Sequence, residues 1–143
     1  MAGIIKISEA ASLALHAAYI MAETPDSPHA VSRMSKSLGV SNAHLAKVLQ
    51  RLTTTGITRS IRGPTGGFVL SKNPQKVTLL DVYEAISGSL KPTECLLQKP
   101  VCGGKSCILG DLLCSVDNKV RQQLASTRLS DLHATRTTKG AGA

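Results

Sequence analysis

Acidic groups are missing from the middle of this 143-residue chain, which has no Asp or Glu between residues 27 and 80. The same stretch holds Arg33, Lys36, Lys47, Arg51, Arg59, Arg62, Lys72 and Lys76, eight of the seventeen Lys and Arg residues. The other nine balance the nine acids, so the whole formal charge of +8 resides in this block. A segregated positive field captures polyanions, although a solvated basic face is a common alternative. Aromatics are scarce: Tyr19, Phe68, Tyr83 and no Trp. Single-stranded nucleic acid is bound by stacking bases on several exposed rings, so that class is disfavoured. Duplex DNA, held by its phosphates and read by a helix, needs no such rings. No run approaches the roughly 18 apolar residues of a membrane span, and no membrane partner is expected. A basic leader with an apolar stretch and cleavage site is also lacking, which predicts a cytoplasmic protein. No nucleophile–base set or pair of carboxylates is evident, so an enzyme is not expected.

Apolar content is 42%, enough to fold one domain with an appendage. Residues 6–22 form an Ala-rich amphipathic pattern with Ser8 as N-cap. A short helix is predicted over 31–38, closing at Gly39, and Ser41 caps a third through about Thr54 with Leu45, Val48, Leu49 and Leu52 as its buried stripe. Helix, Gly-containing turn and capped helix make a helix-turn-helix. Ile57, Arg59 and Ile61 alternate as a strand, Phe68 to Leu70 make the return strand, and GPTGG between them is a turn. That hairpin is a wing carrying Arg59 and Arg62. Another helix spans 78–87 and stops at Gly88, and TRLSDLH adds a last short turn.

The expected fold is therefore mainly α with a small β-hairpin wing. A winged helix-turn-helix domain covers 1–90, a cysteine loop 91–107, a long C-terminal dimerisation helix region 108–133, and a disordered tail 134–143. On the third helix Asn42, His44, Lys47 and Arg51 project away from the buried stripe. Residues near the start of such a helix reach base edges, while later cations hold phosphates. The backbone N–H groups at Ser41 and Asn42 can take a phosphate as well. The candidate DNA contacts are thus Ser41, Asn42, His44, Lys47, Arg51, Arg59, Arg62 and Gly63. One recognition helix covers too few base pairs for useful specificity, so a homodimer on double-stranded operator DNA is expected. Leu109, Leu112, Leu113, Val116, Val120 and Leu124 would supply its paired surface, a plain core helix being the competing use.

Cys95, Cys102, Cys107 and Cys114 follow a C-x6-C-x4-C-x6-C spacing. Structural zinc sites use close pairs such as C-x2-C, and none is present. The first three cysteines share a loop with Pro100, Gly103 and Gly104. Such a loop can wrap its thiolates around an inorganic cluster, with Lys99 and Lys105 offsetting the charge. Three unrelated free thiols remain the simpler alternative. Cys114 falls inside the following helix and is expected to be a semi-buried cysteine.

The string VSRMSKSLGVSNAHLAKVLQRLTTTGITRSIRGPTGGFVLSK, the helix TLLDVYEAISG, the three-cysteine loop and STRLSDL together resemble the IscR/NsrR family of bacterial winged-helix transcription regulators. RGPTGGF is the most diagnostic piece, and the likeness spans about residues 5 to 133. The resemblance implies a homodimeric regulator, expected to be a repressor. It also implies an iron–sulfur cluster, [2Fe-2S] or [4Fe-4S], held by Cys95, Cys102 and Cys107 and sensing redox state, nitric oxide or iron–sulfur status. The middle cysteine stands one place later than in the family's C-x5-C-x5-C form. Members with a fourth His ligand carry it where this chain has Gly110. Others use an acid early in the first helix of the partner chain, which corresponds to Glu9. An acid there also simply favours a helix N-terminus, and His16 is a weaker candidate. Two alternatives stay open: a metal-free thiol–disulfide switch on the same fold, and a protein-interaction module governed by a metabolic enzyme partner.

Overall fold

Ser8 opens the first helix. Its backbone is extended, and its Oγ accepts from the Ala11 N–H at 3.2 Å. Helix α1 therefore runs Glu9–Glu23, beginning after this cap rather than at residue 6. In this computed structural model, residues 5–102 and 107–133 are described, so the predicted tail at 134–143 lies outside the described residues. Ala11, Ala14, Ala17 and Ala18 on α1 are fully buried. Their small side chains let the α1 backbone approach the helices and strand that it packs against.

Helix α2 (Val31–Leu38) closes at Gly39, and α3 (Asn42–Thr54) starts where the Ser41 Oγ accepts the His44 N–H at 3.1 Å. Leu45, Val48, Leu49 and Leu52 are buried, so the predicted stripe is the face by which α3 joins the core. Strands β1 (Thr58–Ile61) and β2 (Gly67–Leu70) pair antiparallel, with Arg59 opposite Val69 and Ile61 opposite Gly67. The wing does not stand alone. His29, between α1 and α2, exchanges two backbone hydrogen bonds of 2.9 Å with Phe68. A Cβ on Gly67 would lie 2.2 Å from the His29 carbonyl oxygen, so only glycine permits this approach.

A 3-10 turn (Pro74–Lys76) leads into α4 (Leu79–Ser87), where Thr78 and Asp81 form a capping box. Helix α5 (Leu112–Ser126) starts later than the predicted residue 108. Residues 108–111 are turns, and Gly110 at φ 60 takes the chain out of the right-handed helical region. The apolar pattern runs across this glycine, which is why periodicity alone overextends the helix. After α5 the chain returns to the domain. Leu79 N–H bonds Thr127 O and Leu129 N–H bonds Val77 O, both at 2.9 Å, and the Leu129 side chain is fully buried. His133 stacks on Tyr19 with ring centroids 4.7 Å apart.

No residue of α5 is fully buried. Its Leu112, Leu113, Val116, Val120 and Leu124 instead line an open groove of about 620 Å³ with Tyr83 of α4 and Ile5 and Ile7 before α1. Leu112 remains 51% exposed, a large apolar surface for a helix to leave in water.

Candidate DNA interface and cysteine loop

The core-facing stripe of α3 determines what its other residues can do. Ser41 spends its hydroxyl on the cap, but the first N–H groups of any helix lack intrahelical partners and can bind an anion. Asn42 is exposed, yet its side-chain amide lies in hydrogen-bonding contact with the Ser35 hydroxyl of α2, which also reaches Ser32 O at 3.1 Å. His44 Nδ1 lies 4.0 Å from Glu9 Oε1 at the start of α1. The Arg51 guanidinium donates to the Ile86 carbonyl at the end of α4. Lys47 projects into solvent. Of the cations and polar groups predicted on α3, Lys47 is thus the one facing away from the fold, whereas Asn42, His44 and Arg51 are engaged at its sides. Gln50, absent from the sequence-based candidates, is exposed one turn beyond Lys47. The i, i+3 spacing from Lys47 would have found it.

Arg59, Arg62 and Gly63 are exposed on the wing, with Arg62 and Gly63 at its tip, where Gly66 N–H bonds Gly63 O at 3.0 Å. Helix and wing therefore present Lys47, Arg59 and Arg62 from the acid-free block. The buried Thr58 on β1 shares a 2.8 Å hydroxyl contact with Thr53 of α3, tying wing to recognition helix.

Cys95, Cys102 and Cys107 line one cavity of about 270 Å³, walled by Leu96, Leu97, Val101 and Ile108. All three are free and half-buried. Soft thiolates around an apolar space are the donor chemistry that an iron–sulfur cluster takes. The thiols share a cavity without forming a coordination sphere. Among the described residues, no three His, Cys, Asp or Glu groups are placed to hold a metal ion. Gly103, Gly104 and Lys105 of this loop lie outside the described residues. Neither Glu9 nor His16 lines the cavity. Glu9 is turned to His44, and exposed His16 donates from Nδ1 to Ser12 O at 2.7 Å, leaving Nε2 as its acceptor nitrogen. Cys114 is half-buried on α5 and accepts from Asn118 Nδ2 at 3.4 Å.

The start of the loop is pinned on two sides. Glu84 Oε1 on α4 accepts from Leu90 N–H at 3.1 Å and from Arg121 Nη1 at 2.9 Å, and the same Nη1 donates to Leu90 O at 3.0 Å. Asp117, one turn before Arg121 on α5, accepts the Thr93 N–H at 2.6 Å. Sequence reasoning misses this clasp, since residues so distant in the chain meet only through the packing of α5 on α4.

No helix among the described residues is long and apolar enough to cross a membrane. The chain is similar to the HTH-type transcriptional regulator IscR of Photorhabdus laumondii, 27% identical over 107 residues covering 75% of this chain and 65% of that protein. Among solved structures it resembles CymR, the global cysteine regulator of B. subtilis. That match has a TM-score of 0.77 at 25% identity, over 92% of this chain and 98% of the other. IscR of T. potens, at 18% identity, shares the fold with a TM-score of 0.73 over 98% of this chain and 93% of that one. The model of the Rrf2 family, described as iron-dependent transcriptional regulators, matches residues 7–135. The recognition helix, the wing and this match lead to one conclusion: the chain is a winged-helix transcription regulator, not an enzyme, and belongs to the Rrf2 family.

Proposed function

We propose that the protein is a homodimeric repressor whose grip on operator DNA is set by an iron–sulfur cluster at Cys95, Cys102 and Cys107. The observation that carries this reading is that these three thiols, and not Cys114, line a single apolar cavity at the foot of α5. Its division of labour follows the chain: residues 1–90 hold DNA, 91–107 carry the sensor, and the 108–133 region pairs two copies. The open apolar groove along α5 supports pairing, because a second copy would remove that surface from water.

When bound, the cluster supplies redox chemistry and a corner open to oxidants or nitric oxide. The protein's own part is mechanical. The clasp at Leu90 and Thr93 ties the loop to Glu84 on α4 and to Asp117 and Arg121 on α5. Just before that tie, near the end of α4, the Ile86 carbonyl holds Arg51 of the recognition helix. A change in how the thiols are held thus has a short bonded route to α3 and a direct one to the pairing helix. Glu9 is the first candidate for a further ligand, reaching across from the partner copy, with His16 second.

Iron and acid-labile sulfide in anaerobically purified protein test this. Near-stoichiometric amounts in wild type and their loss in Cys102→Ala support it; full iron content in Cys102→Ala contradicts it.

A second reading has its own support. The thiols are free, share a cavity and do not form a ready metal site among the described residues. Under peroxide, two of them can give up two electrons and two protons to form a Cys95–Cys107 disulfide. Intact mass would show the loss of two hydrogens, in a protein that takes up no iron on reconstitution.

A further inference from the structure

Three sides of α3 are occupied. Leu45, Val48, Leu49 and Leu52 face the core. His44 and Arg51, two turns apart on one flank, are engaged by Glu9 and the Ile86 carbonyl. Asn42 on the opposite flank meets Ser35. What remains is the ridge of Ala43, Lys47, Gln50 and Thr54, spaced by four, three and four residues and all exposed. At 3.6 residues per turn these four lie on one line, directly opposite the buried stripe.

We propose that this ridge reads the bases, and that Gln50 is the side chain by which α3 selects an adenine in the major groove. The proposal rests on the DNA-binding role of the helix and goes beyond it by assigning specificity to a residue. A glutamine amide presents an N–H donor beside a carbonyl acceptor, which match adenine N7 and N6 in a bidentate pair, whereas no other single base presents an acceptor and a donor together at its major-groove edge. Among the described residues the Gln50 side chain makes no hydrogen bond; its backbone carbonyl takes the Thr54 hydroxyl at 3.0 Å. Its amide is therefore available to an outside partner through both oxygen and nitrogen, whereas the Asn42 Oδ1 already accepts from Ser35. Lys47, one turn earlier, is a compact cation for a phosphate or a guanine edge. Ala43 is short enough to let the helix sit deep, with its methyl against a thymine methyl. From Ala43 to Gln50 the ridge rises about 10 Å, the length of roughly three base pairs. His44 and Arg51 lie on the flank of this ridge, and Arg51 is tied to α4 through the Ile86 carbonyl.

Selection from a random duplex library, with wild type, Gln50→Ala and His44→Ala run in parallel, tests this. Wild type is expected to enrich a motif. Gln50→Ala should lose the preference for A·T at one position of it, by about ten-fold, while keeping the other positions and the salt dependence of binding. His44→Ala should keep the full motif. An unchanged motif in Gln50→Ala, or a uniform loss of affinity with no change in base preference, overturns the assignment, as does loss of a base preference only in His44→Ala. If wild type enriches nothing and binds duplex DNA with no sequence preference, the DNA-reading role fails together with it. Gln50 is exposed and Ala favours helix, so circular dichroism of the variant should match wild type.

Discussion

Glu9 Oε1 lies 4.0 Å from His44 Nδ1, so the first residue of α1 is the neighbour of the first turn of the recognition helix. Their side chains are 73% and 38% exposed. A pair so open to water contributes about 0–1 kcal/mol at most. Glu9 can therefore be withdrawn from His44 at little cost, which suits a residue with a second task. Glu9→Ala should leave stability within about 1 kcal/mol of wild type and leave the DNA affinity of iron-free protein unchanged, while lowering the iron retained after anaerobic purification. Urea unfolding, fluorescence anisotropy and iron assay separate the three effects. Unaltered iron retention would remove Glu9 from the ligand set.

Lys47 and Arg62 carry exposed positive charge on the helix and at the wing tip. Removing one cation that holds a phosphate should reduce the slope of log affinity against log salt by about one. Lys47→Ala and Arg62→Ala should each weaken operator binding in this salt-dependent way, as read by anisotropy titrations at several salt concentrations. Unchanged affinity for Arg62→Ala at moderate salt would mean that the wing does not touch DNA.

The Glu84–Arg121 pair holds both backbone groups of Leu90. Its side chains are 30% and 43% exposed, so the pair itself contributes on the order of 1 kcal/mol. Arg121→Met should therefore spare the fold but speed amide exchange at Leu90, measured by hydrogen–deuterium exchange. It should also reduce the difference in DNA affinity between the two states of the cysteine loop. A variant with faster exchange at Leu90 and an undiminished difference would show that the clasp plays no part in coupling.

Leu129 is fully buried and bonded through its backbone to Val77. It anchors the chain after α5 to the core of the DNA-binding domain. Leu129→Ala should cost about 2–5 kcal/mol, as for other buried leucines, lowering the urea midpoint. A change below about 0.5 kcal/mol would mean that the returning segment is not part of the cooperative core.

Much of this architecture is written in local pattern. The stripe Leu45, Val48, Leu49, Leu52 and the caps at Ser8 and Ser41 are short-range signals, and the structure contains each of them. The GPTGG turn likewise foretells the hairpin. What escapes is set by distant packing. Period alone puts Gln50 opposite the buried stripe of α3 and His44 and Arg51 on one flank, but only the placement of α1 and α4 brings Glu9 beside His44 and the Ile86 carbonyl to Arg51. The start of α5 is not legible because Ile108 and Leu109 continue the apolar pattern across Gly110, whose backbone is not helical. The close approach of Gly67 to His29 joins segments with no shared sequence signal.

The most direct measurement is DNA affinity on one anaerobic sample before and after treatment with nitric oxide or peroxide, with iron and sulfide assayed alongside. A sensor loop coupled to the recognition helix predicts iron-containing protein whose affinity for its selected duplex changes at least about ten-fold (roughly 1.4 kcal/mol) on treatment, and Cys102→Ala protein that shows no such change. Protein that carries no iron even after reconstitution, and binds the same duplex equally well before and after treatment, would contradict it.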